Sequence, residues 1–525
     1  MSATGVPPGL YGKLAATAVV LAGLSILGKL VGLVRAMVVA AVFGAGPDLD
    51  AFLIAVTVPD LLSVIAHFVA LNLFLPVFLA ETRRSPAGAN DLAAAFWERS
   101  LLVLGLLGIA LALAAEPVVR ALAPDLDPAT RGKAVLALRV LSVVVLVRGL
   151  DGILRAILHA RRRFAVPMLA QVAVGVAFIA CVLALASRWP LGSLTVGTAV
   201  GNAMPVLILL PIAMGVVPGL VRTSWRRHPG LGEIRRKLPF LVAIESAALL
   251  LPLVDRSLAS RMLGEGAISA LEFGRVLVEA PYSLVAVTLA VPFFTEFSDL
   301  AAAGDREAFR AVFRRAVRGV VGVLLPVAVL VVVRAEPLVG ALFERGAFDR
   351  EDTVLTAQAL VAYAIGLPFI GVSALGLHGS YAAGILRRLT VARATALAVK
   401  ILLSVLLLRP LGHVGLALGT SAFFVVVTVL LTSRLAGGWR GLIPDPLGLL
   451  LAVALGAGSA WGAGYLLEAL GPGSGALRLL GETGVLFAGC AVTWGVCRWR
   501  GIEEVLWVER QARAAIRSFR RKEEP

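Results

Sequence analysis

Long apolar runs, separated by glycine, proline and clusters of charge, follow one another along almost the whole chain. About 20 apolar residues in a helix span the hydrocarbon of a bilayer, so runs of this length predict membrane-spanning helices. The pattern predicts 14 of them. They lie at about 14–43, 50–80, 93–115, 133–160, 165–187, 193–220, 238–263, 268–299, 316–333, 354–380, 389–408, 413–434, 446–469 and 478–497.

The composition argues against the soluble classes of protein. Of the 525 residues, 59% are hydrophobic and only 16% are charged, whereas soluble domains carry roughly a quarter charged residues. The predicted fold class is therefore an all-α polytopic membrane protein with 14 transmembrane helices.

Positive charge collects in every second loop. The basic segments are 83–84, 161–163, 222–237, 306–318, 387–388, 434–440 and the tail 498–522. They hold about 29 lysines and arginines against about 9 in the alternate loops, a bias that marks the cytoplasmic side. We therefore expect both termini in the cytoplasm, and the net charge of +16 indicates orientation rather than a nucleic-acid partner. In one basic segment, Phe309 and Phe313 alternate with arginine, which predicts a helix lying on the membrane surface.

A sequence repeat divides the chain into two halves. The stretch 43–81 resembles 262–300, because each begins with a glycine-rich turn, carries a helical proline, Pro59 or Pro281, and ends in a proline–aromatic pair. The copies lie six predicted helices apart, as in transporters with two parallel repeats, so we expect two pseudo-symmetric six-helix lobes and two further helices. The predicted divisions are lobes at 1–222 and 223–440, two helices at 441–498 and a basic cytoplasmic tail at 499–525.

Several charged side chains fall at membrane depth, where each needs water, an opposite charge or a function. Lys29 and Arg35 in one half and Arg275 in the other would face a common cavity if the lobes are pseudo-symmetric, and a cationic cavity favours an anion. Further residues expected to line or gate it are Asp50, Asp60, His67, Asn72, Glu245, Asp255, Glu272 and Glu279. The alternative is structural pairing, for example of Arg148 with Asp151 three residues further along the helix.

Catalytic and metal-binding motifs are missing from the sequence. It contains no phosphate-binding P-loop, no GxSxG elbow and no HExxH, and its three cysteines form no CxxC. We therefore predict no catalytic residue, no metal and no cofactor. Without a nucleotide site, transport is expected to draw on an ion gradient, the membrane potential or substrate turnover.

Four segments carry a family resemblance. They are GKLVGLVRAMVVAAVFGAGPDLDAFLIAVTVPDLL at 28–62, ARRRFAVPMLA at 160–170, EFGRVLVEAPYSLVAVTLAVPFFTEFS at 272–298 and RGAFD at 345–349. With these segments the chain resembles the MurJ/MviN lipid II flippases of the multidrug/oligosaccharidyl-lipid/polysaccharide exporter superfamily. The resemblance covers residues 24 to about 395 and agrees with the predicted helix count.

The resemblance implies a flippase with a cationic cavity that opens alternately to each side of the bacterial cytoplasmic membrane. Its substrate would be lipid II, an undecaprenyl-pyrophosphate-linked glycan, moved from the inner to the outer leaflet during peptidoglycan biosynthesis. Lys29, Arg35 and Arg275 match basic positions of the family and would contact the pyrophosphate, while Asp50 matches an acidic position on the outer side. The helices at 441–498 would form a groove for the lipid tail.

Some positions depart from the family pattern. Lys29 stands where arginine is usual, Ala36 replaces an aspartate, Ser63 and Val64 replace two arginines, and Phe68 lies near an expected glutamate. The predicted cavity is therefore less charged than in typical members. This leaves two alternatives: export of another lipid-linked oligosaccharide or amphiphile, and a non-transporting scaffold or glycosyl-transferring membrane enzyme.

Overall fold

The computed structural model describes residues 8–221, 228–438, 442, 445–469, 471 and 475–501, and helices are the only regular secondary structure in these ranges. The helices are α1 Pro8–Phe43, α2 Pro47–Val69, α3 Leu75–Arg84, α4 Pro86–Leu113, α5 Ala115–Leu122, α6 Pro128–Leu141, α7 Val143–Ala160, α8 Ala165–Leu185, α9 Pro190–Val216, α10 Pro229–Leu249, α11 Leu251–Met262, α12 Ala267–Ala302, α13 Arg306–Val333, α14 Ala335–Phe343, α15 Arg350–Ala382, α16 Leu386–Leu411, α17 His413–Leu435, α18 Pro446–Ala469 and α19 Gly475–Trp499. The predicted tail beyond residue 501 lies outside the described residues.

Within the described residues, 11 helices are long and apolar enough to cross a membrane, or 12 if α10 and α11 count as one bent span. The expectation of an all-helical polytopic membrane protein is thereby confirmed at this coarser level. The count of 14 crossings stays a prediction.

Two predicted helices are interrupted. The predicted helix 133–160 ends at Leu141 and resumes at Val143. The backbone carbonyl of Ser142, between the two pieces, packs against Gly108 of α4. The predicted helix 238–263 is interrupted between Leu249, the last residue of α10, and Leu251, the first residue of α11. Pro252 is the second residue of α11, and its nitrogen carries no hydrogen that could be donated to the preceding turn. Continuous helices were therefore the wrong prediction at both places.

A π-helical turn, Ala70–Phe74, joins α2 to α3 just before Pro76. Proline cannot donate the helical hydrogen bond to the residue four positions earlier, and a wider turn accommodates that missing bond. The turn also aims Phe74 into the interior, where its ring stacks on Phe78 and Phe96. All three belong to a buried core to which the π-helical turn, α3, α4, α7, α8, α9 and α10 contribute.

Contacts divide the chain into two units, one of residues 21–269 and the other of 1–20 with 270–525. The helices α10 and α11 group with the first unit, so this division falls later than the expected lobe boundary at 222, and the lobe assignment itself stays a prediction. In the second unit, Phe309 and Phe313 are buried and pack on Phe297. The expected surface helix is therefore wrong: these rings fill a core instead of facing lipid.

Candidate functional site

The two cations of α1 have different surroundings. Lys29 is exposed, whereas Arg35 is partly buried and its guanidinium lies 3.9 Å from the centre of the Phe178 ring on α8. Residues six apart on an α-helix point about 120° away from each other, so the two side chains leave α1 in different directions. The stacked arginine is held in place by a cation–π contact.

Asp50 caps the start of α12. Its buried carboxylate accepts hydrogen bonds from the backbone N–H of Gly266 at 2.8 Å, from the backbone N–H of Ser269 at 2.9 Å and from the Ser269 hydroxyl at 2.5 Å. A carboxylate there satisfies unpaired amides and complements the helix dipole. Gly266 has a φ of +83°, and a side chain on it would collide with the Ala45 carbonyl. The glycine-rich turns of the two sequence repeats therefore meet here, inside the unit 21–269.

Asp60 and three residues of α7 form two ion pairs in the first unit. Arg148 donates to Asp60 at 2.5 Å, and Arg155 bonds both oxygens of Asp151 at 2.8 Å. Arg155 also donates to the side-chain carbonyl of Gln171 on α8 at 2.9 Å. The suggested pairing of Arg148 with Asp151 is therefore wrong: Asp151 pairs with Arg155, one turn further along α7, and Arg148 pairs with Asp60 on α2.

His67 and Asn72 lie next to this group on the α2 side. His67 packs against α7 at Gly152, and the charges of Arg148 and Arg155 are close enough to act on it. Asn72 is exposed on the π-helical turn. The helices thus bring Asp60 and His67 together with two arginines, a cluster that no sequence spacing indicated.

Two acidic residues, Glu245 of α10 and Asp255 of α11, face protein. Glu245 and Asp255 are both buried, as intramembrane carboxylates are expected to be. Beside them, Arg256 donates to the Leu53 carbonyl at 2.8 Å and to the Thr57 hydroxyl at 2.9 Å. This arginine anchors α11 to α2 within the first unit.

Arg275 lies between two carboxylates on α12. Its guanidinium reaches Glu272 at 2.6 Å and Glu279 at 2.7 Å, one turn to either side. The three sequence-predicted residues therefore form one group, with one positive and two negative charges. Arg275 belongs to the second unit and Lys29 and Arg35 to the first, so a cavity shared by all three stays a prediction.

One buried cluster of charged residues was not indicated by any pattern in the sequence. Arg334, at the junction of α13 and α14, is 6% exposed and pairs with Glu482 of α19 at 2.6 Å and with Glu468 of α18 at 3.1 Å. Glu482 is 3% exposed. The partners lie 134 and 148 residues from the arginine, so neither helical spacing nor the repeat could reveal them. This cluster fastens the last two helices to the second unit.

Sequence relatives cover most of the chain. The family profile described as Lipid II flippase MurJ matches residues 39–478. A Burkholderia cenocepacia protein named lipid II flippase MurJ is 28% identical over 455 residues, which cover 82% of this chain and 87% of that protein. A Synechocystis protein named probable lipid II flippase MurJ is 26% identical over 488 residues, which cover 87% of this chain and 89% of that protein.

Solved structures agree in fold. One described as lipid II flippase MurJ in an inward closed conformation has a TM-score of 0.75 at 19% identity and covers 91% of this chain and 99% of its own. A multidrug resistance MATE family transporter of the MOP superfamily, in an inward-facing conformation, has a TM-score of 0.61 at 14% identity, covering 80% and 98%. At these identities the likeness concerns the fold alone.

Proposed function

The chain belongs to the MurJ family of lipid II flippases, and on this basis we propose that it moves lipid II from the inner to the outer leaflet during peptidoglycan biosynthesis. The observation that carries the proposal is the match of the family profile over residues 39–478 of the 525 in the chain. Membership also places the protein among transporters rather than enzymes. The resemblance of the four sequence segments to this family is thereby confirmed.

The physical task is to carry a pyrophosphate and a polar glycan past the hydrocarbon of the bilayer. Burying such an anion without partners costs several kcal/mol or more, whereas fixed cations in a water-filled path lower that barrier. We assign this role to Lys29, Arg35 and Arg275, each of which contacts the pyrophosphate at some stage of alternating access. At that stage Arg275 exchanges one carboxylate partner for a pyrophosphate oxygen, so its guanidinium has a negatively charged acceptor in both states.

The charges of the loops support the finer features of the proposal. Fourteen crossings, both termini in the cytoplasm and lobes at 1–222 and 223–440 are consistent with the alternation of basic loops. An ion gradient or the membrane potential supplies the driving force, and the helices at 441–498 accommodate the lipid tail. The protein acts in the bacterial cytoplasmic membrane.

A depletion experiment tests the function. In a bacterium depleted of its own lipid II flippase, expression of this chain is expected to restore growth and the appearance of lipid II in the outer leaflet. Arg35→Ala and Arg275→Ala should each abolish the rescue at normal protein levels, because each removes a cation from the substrate path. Arg120→Ala, which breaks only an exposed pair with Glu116, is the matched control and should rescue fully.

Two results would contradict the proposal at different levels. Failure of the well-expressed wild-type chain to restore outer-leaflet lipid II would overturn the function. Full rescue by both arginine variants would leave the function standing and remove these side chains from the site.

A further inference from the structure

A cavity of about 560 Å³ lies in the second unit, and its lining includes none of the residues assigned to the pyrophosphate. It is bounded by the end of α13, by α14, by the start of α15 and by the facing ends of α18 and α19, and we call it the α14 cavity. Its walls include the apolar residues Val332, Val333, Val354, Val361 and Leu467. Its volume falls within the range of about 300–1,000 Å³ that is usual for small-molecule sites.

The position of the α14 cavity indicates a membrane–water boundary. Four of the helices that bound it, α13, α15, α18 and α19, are long and apolar enough to cross a bilayer, and the cavity lies where they end or begin. The predicted topology assigns these four helix ends to the outer face. A ligand bound here would therefore have its polar part at the level of lipid headgroups.

The polar part of the lining contains both signs of charge. Glu336, Glu468 and Glu482 line the cavity together with Arg350 and Arg478. Arg350 pairs with Glu336 and lies 3.7 Å from Glu344, while Arg334 pairs with Glu482 and Glu468. Four carboxylates thus face three guanidiniums, which leaves one negative charge in excess.

Two of these groups have bonding capacity that their neighbours do not use. The side chain of Glu468 is 54% exposed. Its carboxylate lies 3.1 Å from an Arg334 nitrogen that also bonds Glu482, at the shorter distance of 2.6 Å. Arg478 is 30% exposed, and its 3.9 Å separation from Glu344 is too long for a hydrogen bond. The cavity therefore offers a carboxylate to a cation and a guanidinium to an anion, beside an apolar wall.

We propose that the α14 cavity binds the headgroup of a zwitterionic phospholipid that carries a primary ammonium, such as phosphatidylethanolamine. The ammonium donates hydrogen bonds to Glu468, the phosphate accepts them from Arg478, and the glycerol end of the lipid contacts the valine wall. A trimethylammonium head has no N–H to donate, so choline lipids bind more weakly. A net anionic head such as that of phosphatidylglycerol meets the excess carboxylate and is disfavoured.

Native mass spectrometry of the purified, delipidated full chain in detergent tests this proposal. The protein is offered equal amounts of phosphatidylethanolamine, phosphatidylcholine and phosphatidylglycerol, and the first bound lipid is counted. We expect the ethanolamine lipid to exceed the other two severalfold. Glu468→Gln should bring it down to the choline level, because glutamine keeps the shape but loses the charge, and Arg478→Gln should weaken both zwitterionic lipids.

Glu116→Gln provides the control, since Glu116 forms an exposed pair with Arg120 in the other unit and also lines a surface pocket. It should leave the lipid preference unchanged. Equal binding of the three lipids, a preference for phosphatidylglycerol, or an ethanolamine preference that persists in Glu468→Gln would each overturn the proposal. Because Glu468 is half exposed, its glutamine variant tests the site even if Arg478→Gln fails to fold, which thermal unfolding would detect.

Discussion

Arg275 illustrates how one side chain can serve both stability and transport. An arginine without partners in the membrane interior is costly, and the two acids on its own helix remove that cost when no substrate is bound. A pyrophosphate carries the same kind of acceptor oxygens as the carboxylates, and the planar guanidinium bonds either in bidentate fashion. Exchange of one set of acceptors for another therefore needs little change in the position of the arginine.

Asp50 leads to a prediction about stability. Asp50→Ala removes the acceptor of three hydrogen bonds at the start of α12, and a lost helix cap costs about 0.5–2 kcal/mol. We expect a clear drop in the melting temperature of the purified protein, followed by tryptophan fluorescence. Asp50→Asn, which keeps one side-chain acceptor, should lose less.

The matched control for this position is Asp48→Ala, two residues earlier on the same helix. Asp48 pairs with Lys133 in a partly exposed contact, and such pairs contribute roughly 0–1 kcal/mol. A melting temperature that falls as far for Asp48→Ala as for Asp50→Ala would contradict the capping role.

At the scale of elements, apolar run length predicted where most helices lie, because the bilayer fixes the length that a crossing needs. It could not predict where they break. The interruption at Ser142 coincides with a contact to Gly108 on another helix, and the π-helical turn reflects both Pro76 and the burial of Phe74. The sequence also could not predict which charged residues pair. Arg148 pairs with Asp60, 88 positions away, whereas the sequence pattern suggested only neighbours on its own helix.

Close packing of α2 against α7 gives a prediction at this scale. A side chain at Gly152 would begin 3.1 Å from the His67 Cα and 3.2 Å from the Ala70 Cβ, and small residues are what allow membrane helices to approach so closely. Gly152→Leu should therefore destabilise the protein by about 1–3 kcal/mol through overpacking. Thermal unfolding in detergent measures the change.

Gly132→Leu on α6 provides the comparison, because nothing lies within 4 Å of a side chain added there. It should leave the melting temperature unchanged or raise it slightly, since leucine favours a helix more than glycine does. Equal behaviour of the two variants would show that the α2–α7 contact is not limiting for stability.

At the scale of the whole molecule, hydropathy and loop charge are independent signals, and they agree on a polytopic protein with basic loops on one side. The family match and the fold match support the polytopic architecture. The predicted site was less accessible to sequence reasoning. Lys29, Arg35 and Arg275 stand out as cations in apolar runs, but the sequence could not reveal that Arg35 stacks on Phe178 or that Arg275 is paired on both sides.

Orientation is the prediction that belongs to this largest scale. In a variant without Cys181, Cys490 and Cys497, a single cysteine placed at an exposed loop or helix end reports which side of the membrane it faces. Asp125→Cys should react with a membrane-impermeant thiol reagent in intact cells, because the topology assigns its loop to the outer face. Arg387→Cys should react only after permeabilisation, since basic loops stay in the cytoplasm.

Both cysteine variants must also restore growth in the flippase-depleted strain, so that labelling reports a functional protein. The reverse pattern, with Arg387→Cys accessible from outside, would invert the assignment. It would place the α14 cavity at the inner leaflet, whose lipids it would then contact, and it would require the net charge of +16 to be explained by something other than orientation. Labelling at both positions from outside would instead contradict the number of crossings between them.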